Sequence, residues 1–202
     1  MVDTARTAGA GRPRDTTIEL RVLEEAIRQF ALRGWAGLSI DKIAAATGVG
    51  KASIYLRWDS KEDLVLAAIE RVGPRASEID TGSLEGDLHE MIAELLDLYT
   101  SDVGAGVQRF TLDVDVPEAL RERLAAFRSE QVRSWRRVVR RAIAQGWLPE
   151  DTPIAFLLNV VHGATWSYAT TGSPSPRDKR HPGKDARFIS DLIGLVIDRF
   201  AR

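Results

Sequence analysis

The chain contains no cysteine, which removes disulfides and thiolate metal sites. Its three histidines, His89, His162 and His181, are isolated in sequence, with no HExxH and no carboxylate–histidine pair. Nothing therefore has the spacing of a zinc site or of a nucleophile beside its base. The segment GVGKAS at residues 48–53 looks like the tail of a phosphate-binding loop. It lacks the leading glycine in frame, however, and follows a helical pattern where such a loop follows a strand. Apolar runs fall short of the roughly 20 residues that cross a bilayer, and no early segment joins positive charge, an apolar stretch and a cleavage site. Strand-length alternation and internal repeats are also missing. The expectation is an all-α, cytoplasmic protein that is not an enzyme, with no catalytic residues, metal, cofactor or membrane partner.

With 202 residues, 44% of them hydrophobic, the chain can bury a core and has room for one large or two small domains. The net charge is −1, which alone would argue against nucleic acid. Residues 1–62 carry a slight basic excess and the remainder a slight acidic one, an asymmetry too mild to decide anything.

Residues 1–14 have no apolar periodicity and carry Gly, Ala, Thr and three arginines, the composition of a flexible arm. Within it Arg12-Pro13-Arg14 has the make-up of a stiffened arginine pair that enters a narrow A/T minor groove; an unstructured tail with incidental arginines is the other reading. A DNA-binding domain over 15–72 follows. Thr16 with Glu19 reads as a capping box, Ile18, Val22, Ala26, Ile27 and Phe30 recur at helical spacing, and Gly34 supplies the exit. Ser60 with Asp63 opens a fourth helix through Leu64, Ala67, Ala68, Ile69 and Val72, stopped at Gly73-Pro74. Residues 73–83 read as a turn or hinge.

Residues 84–202 read as helices throughout. Leu88, Met91, Ile92, Leu95 and Tyr99 form one stripe, and a short glycine-broken segment carries Val107, Phe110 and Leu112. Pro117 opens a helix that reaches Gln145, roughly 43 Å at 1.5 Å per residue. Thr152-Pro153 opens the next, apolar nearly all round to Tyr168; residues 172–184 are a basic, Pro-rich loop, and a last helix runs from about Asp185 to Arg202.

The functional signal lies in residues 39–64, where two short helical patterns meet at a turn. Ala44 is small where the helices approach, Gly48 suits a left-handed exit, and Ile43, Val49, Ile54 and Trp58 make one apolar face. Ala52, Ser53, Tyr55 and Leu56 then point outward, with Lys51 at the helix start. An outward second helix is what a helix-turn-helix lays in the major groove. Lys51 can donate to a guanine edge, Ser53 can serve several bases, and Ala52 and Leu56 can meet a thymine methyl or deoxyribose.

This segment, with the helix before it and the lysine after it, resembles the TetR family of bacterial transcriptional regulators. The matching residues are Val22, Leu23, Ala26, Phe30 and Gly34-Trp35; Ser39 opening the second helix; and Ile43-Ala44, Gly48-Val49, Ile54-Tyr55 and Ser60-Lys61 with Leu64. Gly50 departs from the family's frequent Ser or Thr cap, a change of only a few tenths of a kcal/mol, and Trp58 replaces a commoner Phe. The likeness is specific over about residues 15–72 and architectural beyond. It implies that Tyr55 and Lys61 hold phosphates, in keeping with the first-turn position of Lys61, where free backbone N–H groups attract an anion. It implies further that C-terminal helices enclose an effector pocket and that the last two form a four-helix dimer interface.

In that C-terminal part, polar residues interrupt apolar stripes. Gln131 breaks the row Leu120, Leu124, Phe127, Trp135, Val138 and Ala142, and Ala155, Asn159, His162 and Trp166 share a face opposite Leu157, Val160, Val161, Ala164 and Tyr168. A buried amide or imidazole left unpaired costs roughly 1–3 kcal/mol, so each needs a partner in a ligand, a second subunit or a neighbouring side chain. Those three readings stay open for His162 and Asn159. Tyr99, Phe110, Phe127, Gln131, Trp135, Asn159, His162 and Trp166 are the candidate effector-binding residues.

The reading is a dimeric regulator that binds double-stranded DNA at a palindromic operator, represses, and is released by a small-molecule effector. Two motifs about 34–36 Å apart multiply the discrimination of one, and the broad apolar face of the last helix offers a dimer surface. The alternative is a ligand-independent chromosome-organising protein built on the same DNA-binding dimer.

Overall fold

The computed structural model describes residues 16–72, 79–171 and 181–201. Among them are nine helices and no strand: α1 (Thr16–Gly37), α2 (Ile40–Thr47), α3 (Lys51–Tyr55), α4 (Lys61–Val72), α5 (Leu84–Tyr99), α6 (Asp102–Leu112), α7 (Glu118–Ala144), α8 (Ile154–Thr170) and α9 (Pro182–Phe200).

Local chemistry sets the boundaries. The Ser83 hydroxyl accepts from the Gly86 N–H at 3.1 Å to start α5, and Ser101 does the same for Gly104 at 3.0 Å to start α6. At α4 the Ser60 hydroxyl accepts from the Asp63 N–H at 3.0 Å and donates to its carboxylate at 2.6 Å. Gly48 ends α2 at φ 69°, and Gly146 follows α7 at φ 73°. Two expectations shift. Thr16 lies inside α1, not at its cap. The last helix starts at Pro182, three residues before the expected Asp185, because proline has the helical φ and its missing N–H is no loss at the first position.

Packing produces two apolar cores. Val22, Leu23, Ile27 and Phe30 of α1, Ile43, Ile54, Leu64 and Ile69 fill the first, joined by Val103 and Phe110 of α6, Val116, and Leu120 and Leu124 of α7. Leu88, Met91, Ile92 and Leu95 of α5 centre the second, with Trp135, Val138, Val139 and Ala142 of α7 and the inner faces of α8 and α9. The 27-residue α7, about 40 Å long, enters both. Helix α6 lies tight on α1: the Phe30 and Phe110 rings stack at 3.9 Å, and a Cβ on Gly106 would sit 3.1 Å from Ile27. Beside the second core, the fully buried Asp87 carboxylate accepts from Arg141 and from the Thr81 N–H and hydroxyl, both at 2.8 Å.

On α9 most of the broad apolar face is buried within the chain itself. Leu192 is buried with Ile189, Ile193, Val196 and Phe200, and Phe188 stacks on Tyr168 at 4.1 Å, so only Leu195, 58% exposed, still faces outward. The stripe is wide enough to meet α5 and α8 together, so a single chain covers most of it.

Candidate nucleic-acid interface

The α2–α3 unit is a rigid mount for one small surface. Ile43 and Ile54 are fully buried, Trp58 nearly so, and the Thr47 hydroxyl donates to the Ile43 carbonyl at 2.8 Å, fastening the end of α2. Ala44 and Val49 pack against the same core. On the opposite side Lys51, Ala52, Tyr55 and Leu56 are exposed and Ser53 is half-buried. Leu56, just past the end of α3, is 86% exposed, an apolar side chain held in water by a well-packed helix. Arg57, which sequence reasoning passed over, lies on this surface and donates to the Ser53 carbonyl at 3.0 Å.

The two lysines differ. The Lys51 ammonium is 2.7 Å from the Asp41 carboxylate, whose hydrogen bond and charge raise its pKa, and 6.0 Å from the Tyr55 ring centroid. Both partners of this ion pair are well exposed, so water competes and the pair is weak. The Lys61 Nζ instead donates to the Trp35 carbonyl at 3.0 Å and rests 4.0 Å from the centroid of the Trp35 ring, a cation–π position. An ammonium has three donors, so this anchorage fixes the charge while leaving donors for an anion. Ser39 precedes α2 in extended backbone, half-buried, and its side chain makes no capping bond to α2. Arg12 and Arg14 lie outside the described residues.

Of the candidate effector-binding residues, four converge between α5, α7 and α8. The Tyr99 hydroxyl lies 3.1 Å from His162 Nδ1, the Trp135 and His162 rings meet edge-on at 4.1 Å, and Trp166 packs edge-on against Tyr99 at 5.7 Å. Gln131 is buried one turn before Trp135. Burial pushes His162 down to about 4 and the Tyr99 phenol upward, so the cluster is neutral at physiological pH while still offering hydrogen-bonding groups. Phe110 stands apart in the first core, and Asn159 is exposed. The expected shared face of α8 thus splits, with His162 turned inward and Asn159 outward. The Phe127 side chain lies outside the described residues. Among the described residues no group of His, Asp and Glu could hold a metal, and no helix is long and apolar enough to cross a membrane.

Residues 22–68 match the tetR family of bacterial regulatory proteins, and residues 78–180 match the tetracyclin repressor-like C-terminal domain. The HTH-type transcriptional regulator YdeS of Bacillus subtilis is 27% identical over 158 residues, 76% of this chain and 78% of its own length. The HTH-type transcriptional regulator AqdR of Rhodococcus erythropolis is 24% identical over 184 residues, covering 90% of this chain and 88% of itself. Among solved structures, the TetR family transcriptional regulator CifR, as a cysteine mutant complexed with 26-base-pair double-strand operator DNA, superposes with a TM-score of 0.65 at 23% identity, over 92% of this chain and 98% of that one.

Proposed function

This chain belongs to the TetR family and is a helix-turn-helix transcriptional regulator rather than an enzyme, and from that premise we propose that it acts as a homodimeric repressor, released from a palindromic operator by a small-molecule effector. The observation that carries the DNA side is the α3 surface. A buried Ile43–Ile54–Trp58 mount presents Ala52, Tyr55 and Leu56 to the exterior between two lysines, as a recognition helix requires. In this reading Lys51 leaves its exposed Asp41 partner for a base edge, Ser53 reads a second base, and Ala52 and Leu56 meet thymine methyl or sugar. Tyr55, Lys61 and the Ser39 hydroxyl hold phosphates, and Arg12 and Arg14 enter the flanking minor groove.

The dimer rests on α8 and α9. Phe156, Asn159, Gly163 and Trp166 recur at three- and four-residue spacing on the exposed side of α8, and Gly194 and Leu195 lie on that of α9. Phe156 and Leu195 are more than half exposed, and a second copy would cover them. The effector reading is supported by the neutral cluster of Tyr99, Trp135, His162 and Trp166, which suits an uncharged ligand with an aromatic or apolar body. Release then requires an effector that binds better to a dimer with wrongly spaced recognition helices, with α4 as the lever. The test is selection of bound duplexes from a random pool, followed by a compound screen for loss of protection. A palindromic consensus, and a compound that abolishes protection, are expected; binding to dispersed sites without a consensus would contradict the reading.

A further inference from the structure

Trp35 sits at a backbone break. At Gly34 the chain leaves the helix with φ 68° and ψ −175°, so the Trp35 N–H loses the carbonyl that a continuing helix would offer, and the residue is buried. An orphaned buried N–H is costly. Its acceptor comes from 78 residues away: Asp113 Oδ2, in the α6–α7 connection, receives it at 2.8 Å. Asp113 is itself located from three sides. Its Oδ1 accepts from the Asp115 N–H at 3.0 Å, its carbonyl accepts from Arg121 Nη2 at 2.6 Å, and Arg109 Nε lies 3.9 Å from Oδ2. Gly34 makes room for the approach, since a Cβ there would stand 2.5 Å from the same carboxylate oxygen.

The next peptide and the ring of the same residue engage Lys61. The Trp35 carbonyl accepts from the Leu38 N–H at 3.3 Å and from Lys61 Nζ at 3.0 Å, and the indole ring lies under that ammonium. One residue is therefore gripped by a carboxylate of the regulatory half and grips the phosphate-directed lysine of the DNA-binding half.

We propose that Asp113 is a positioning residue for DNA binding, holding Lys61 on its phosphate through the backbone N–H, carbonyl and ring of Trp35. This rests on the reading of Lys61 as a phosphate contact. Simple electrostatics predicts the opposite effect of removing Asp113, because deleting a negative charge favours association with a polyanion; the sign therefore separates the two accounts.

The experiment measures affinity against salt concentration for the full chain, Asp113→Ala, Lys61→Ala and the double variant, on a duplex selected from a random pool by the wild type. Lys61→Ala should weaken binding about ten-fold and flatten the salt slope by about 0.9, one phosphate contact. Asp113→Ala should weaken binding about five-fold and flatten the slope in the same direction, and the double variant should fall within about two-fold of Lys61→Ala alone, as sites acting in series do. Should Asp113→Ala fail to fold, Asp113→Asn makes the same comparison with the weaker neutral acceptor. If Lys61→Ala lowers affinity and slope while the Asp113 variants keep the full slope, bind more tightly or add independently to Lys61→Ala, the positioning role is refuted and the phosphate reading stands. If Lys61→Ala changes neither affinity nor slope, both fail.

Discussion

Lowering the pH from about 7 to about 5 is expected to destabilise the fold through His162. In the unfolded chain this imidazole has its ordinary value of 6.5; in the fold, burial against Tyr99 and Trp135 lowers it to about 4. A group whose folded value is depressed leaves the unfolded chain binding more protons between the two values. Stability is therefore fully present above about pH 6.5 and is lost as pH falls toward about 4. At about 1.4 kcal/mol per unit, this interval removes about 2 kcal/mol by pH 5, or a fall in Tm of about 4–8 °C for a chain of this size. Thermal unfolding at fixed protein concentration, which holds any dimer contribution constant, gives the readout. His162→Gln keeps an acceptor for the Tyr99 hydroxyl and removes the titration. Its Tm should fall by clearly less over the same window. Parallel pH profiles for the wild type and His162→Gln would refute the reasoning.

Tyr55→Ala should weaken binding to all duplexes alike, whereas Lys51→Ala should relax preference at one base position. A Lys51→Ala variant with unchanged base preference and a flatter salt slope would make Lys51 a phosphate contact. Leu195→Glu places an unpaired charge on the proposed dimer face and should give a monomer by sedimentation that no longer holds its operator; a wild-type monomer binding tightly at micromolar concentration would contradict the dimer. Gly34→Ala forces a side chain into backbone geometry open almost only to glycine, about 1–3 kcal/mol of strain, and into the Asp113 carboxylate. Denaturant unfolding should show a loss of about 3 kcal/mol or more, and a loss below about 1 kcal/mol would mean that the α1 kink relaxes freely.

What the sequence made legible was what short-range periodicity encodes. The stripes of α1, α5 and α7 follow from helical spacing, and the buried Ile43–Ile54–Trp58 face with the outward Ala52, Tyr55 and Leu56 follows from the small, glycine and apolar positions of the helix-turn-helix pattern. The start of α9 carried its own signal in Pro182, masked by reading the basic Pro-rich run as loop to its end. Long-range pairings carried none: Asp113 meets Trp35 across 78 residues and Asp87 meets Arg141 across 54, and an aspartate in a turn or first helical turn looks the same whether it faces water or a buried donor. Phe110 shows the same limit, since its spacing placed it on an apolar face without saying that the face belongs to α1. His162 and Asn159, three residues apart, meet different surroundings because Tyr99 of α5 and Trp135 of α7 cover the first and leave the second exposed, which the spacing on α8 does not encode.

The continuity of α7 through both cores acts as a phase constraint on the chain's history. Leu120 and Leu124 must meet one core while Trp135, Val138, Val139 and Ala142 meet the other. Each residue inserted or deleted between the two sets turns one about 100° relative to the other and shifts it 1.5 Å along the axis. A single-residue change there would swing the exposed arginines of α7 toward the core positions now held by Trp135 and Val138, whereas a change of seven residues would nearly restore the phase. The stretch between Leu124 and Trp135 should therefore tolerate substitution on its solvent face far more readily than any change in its length.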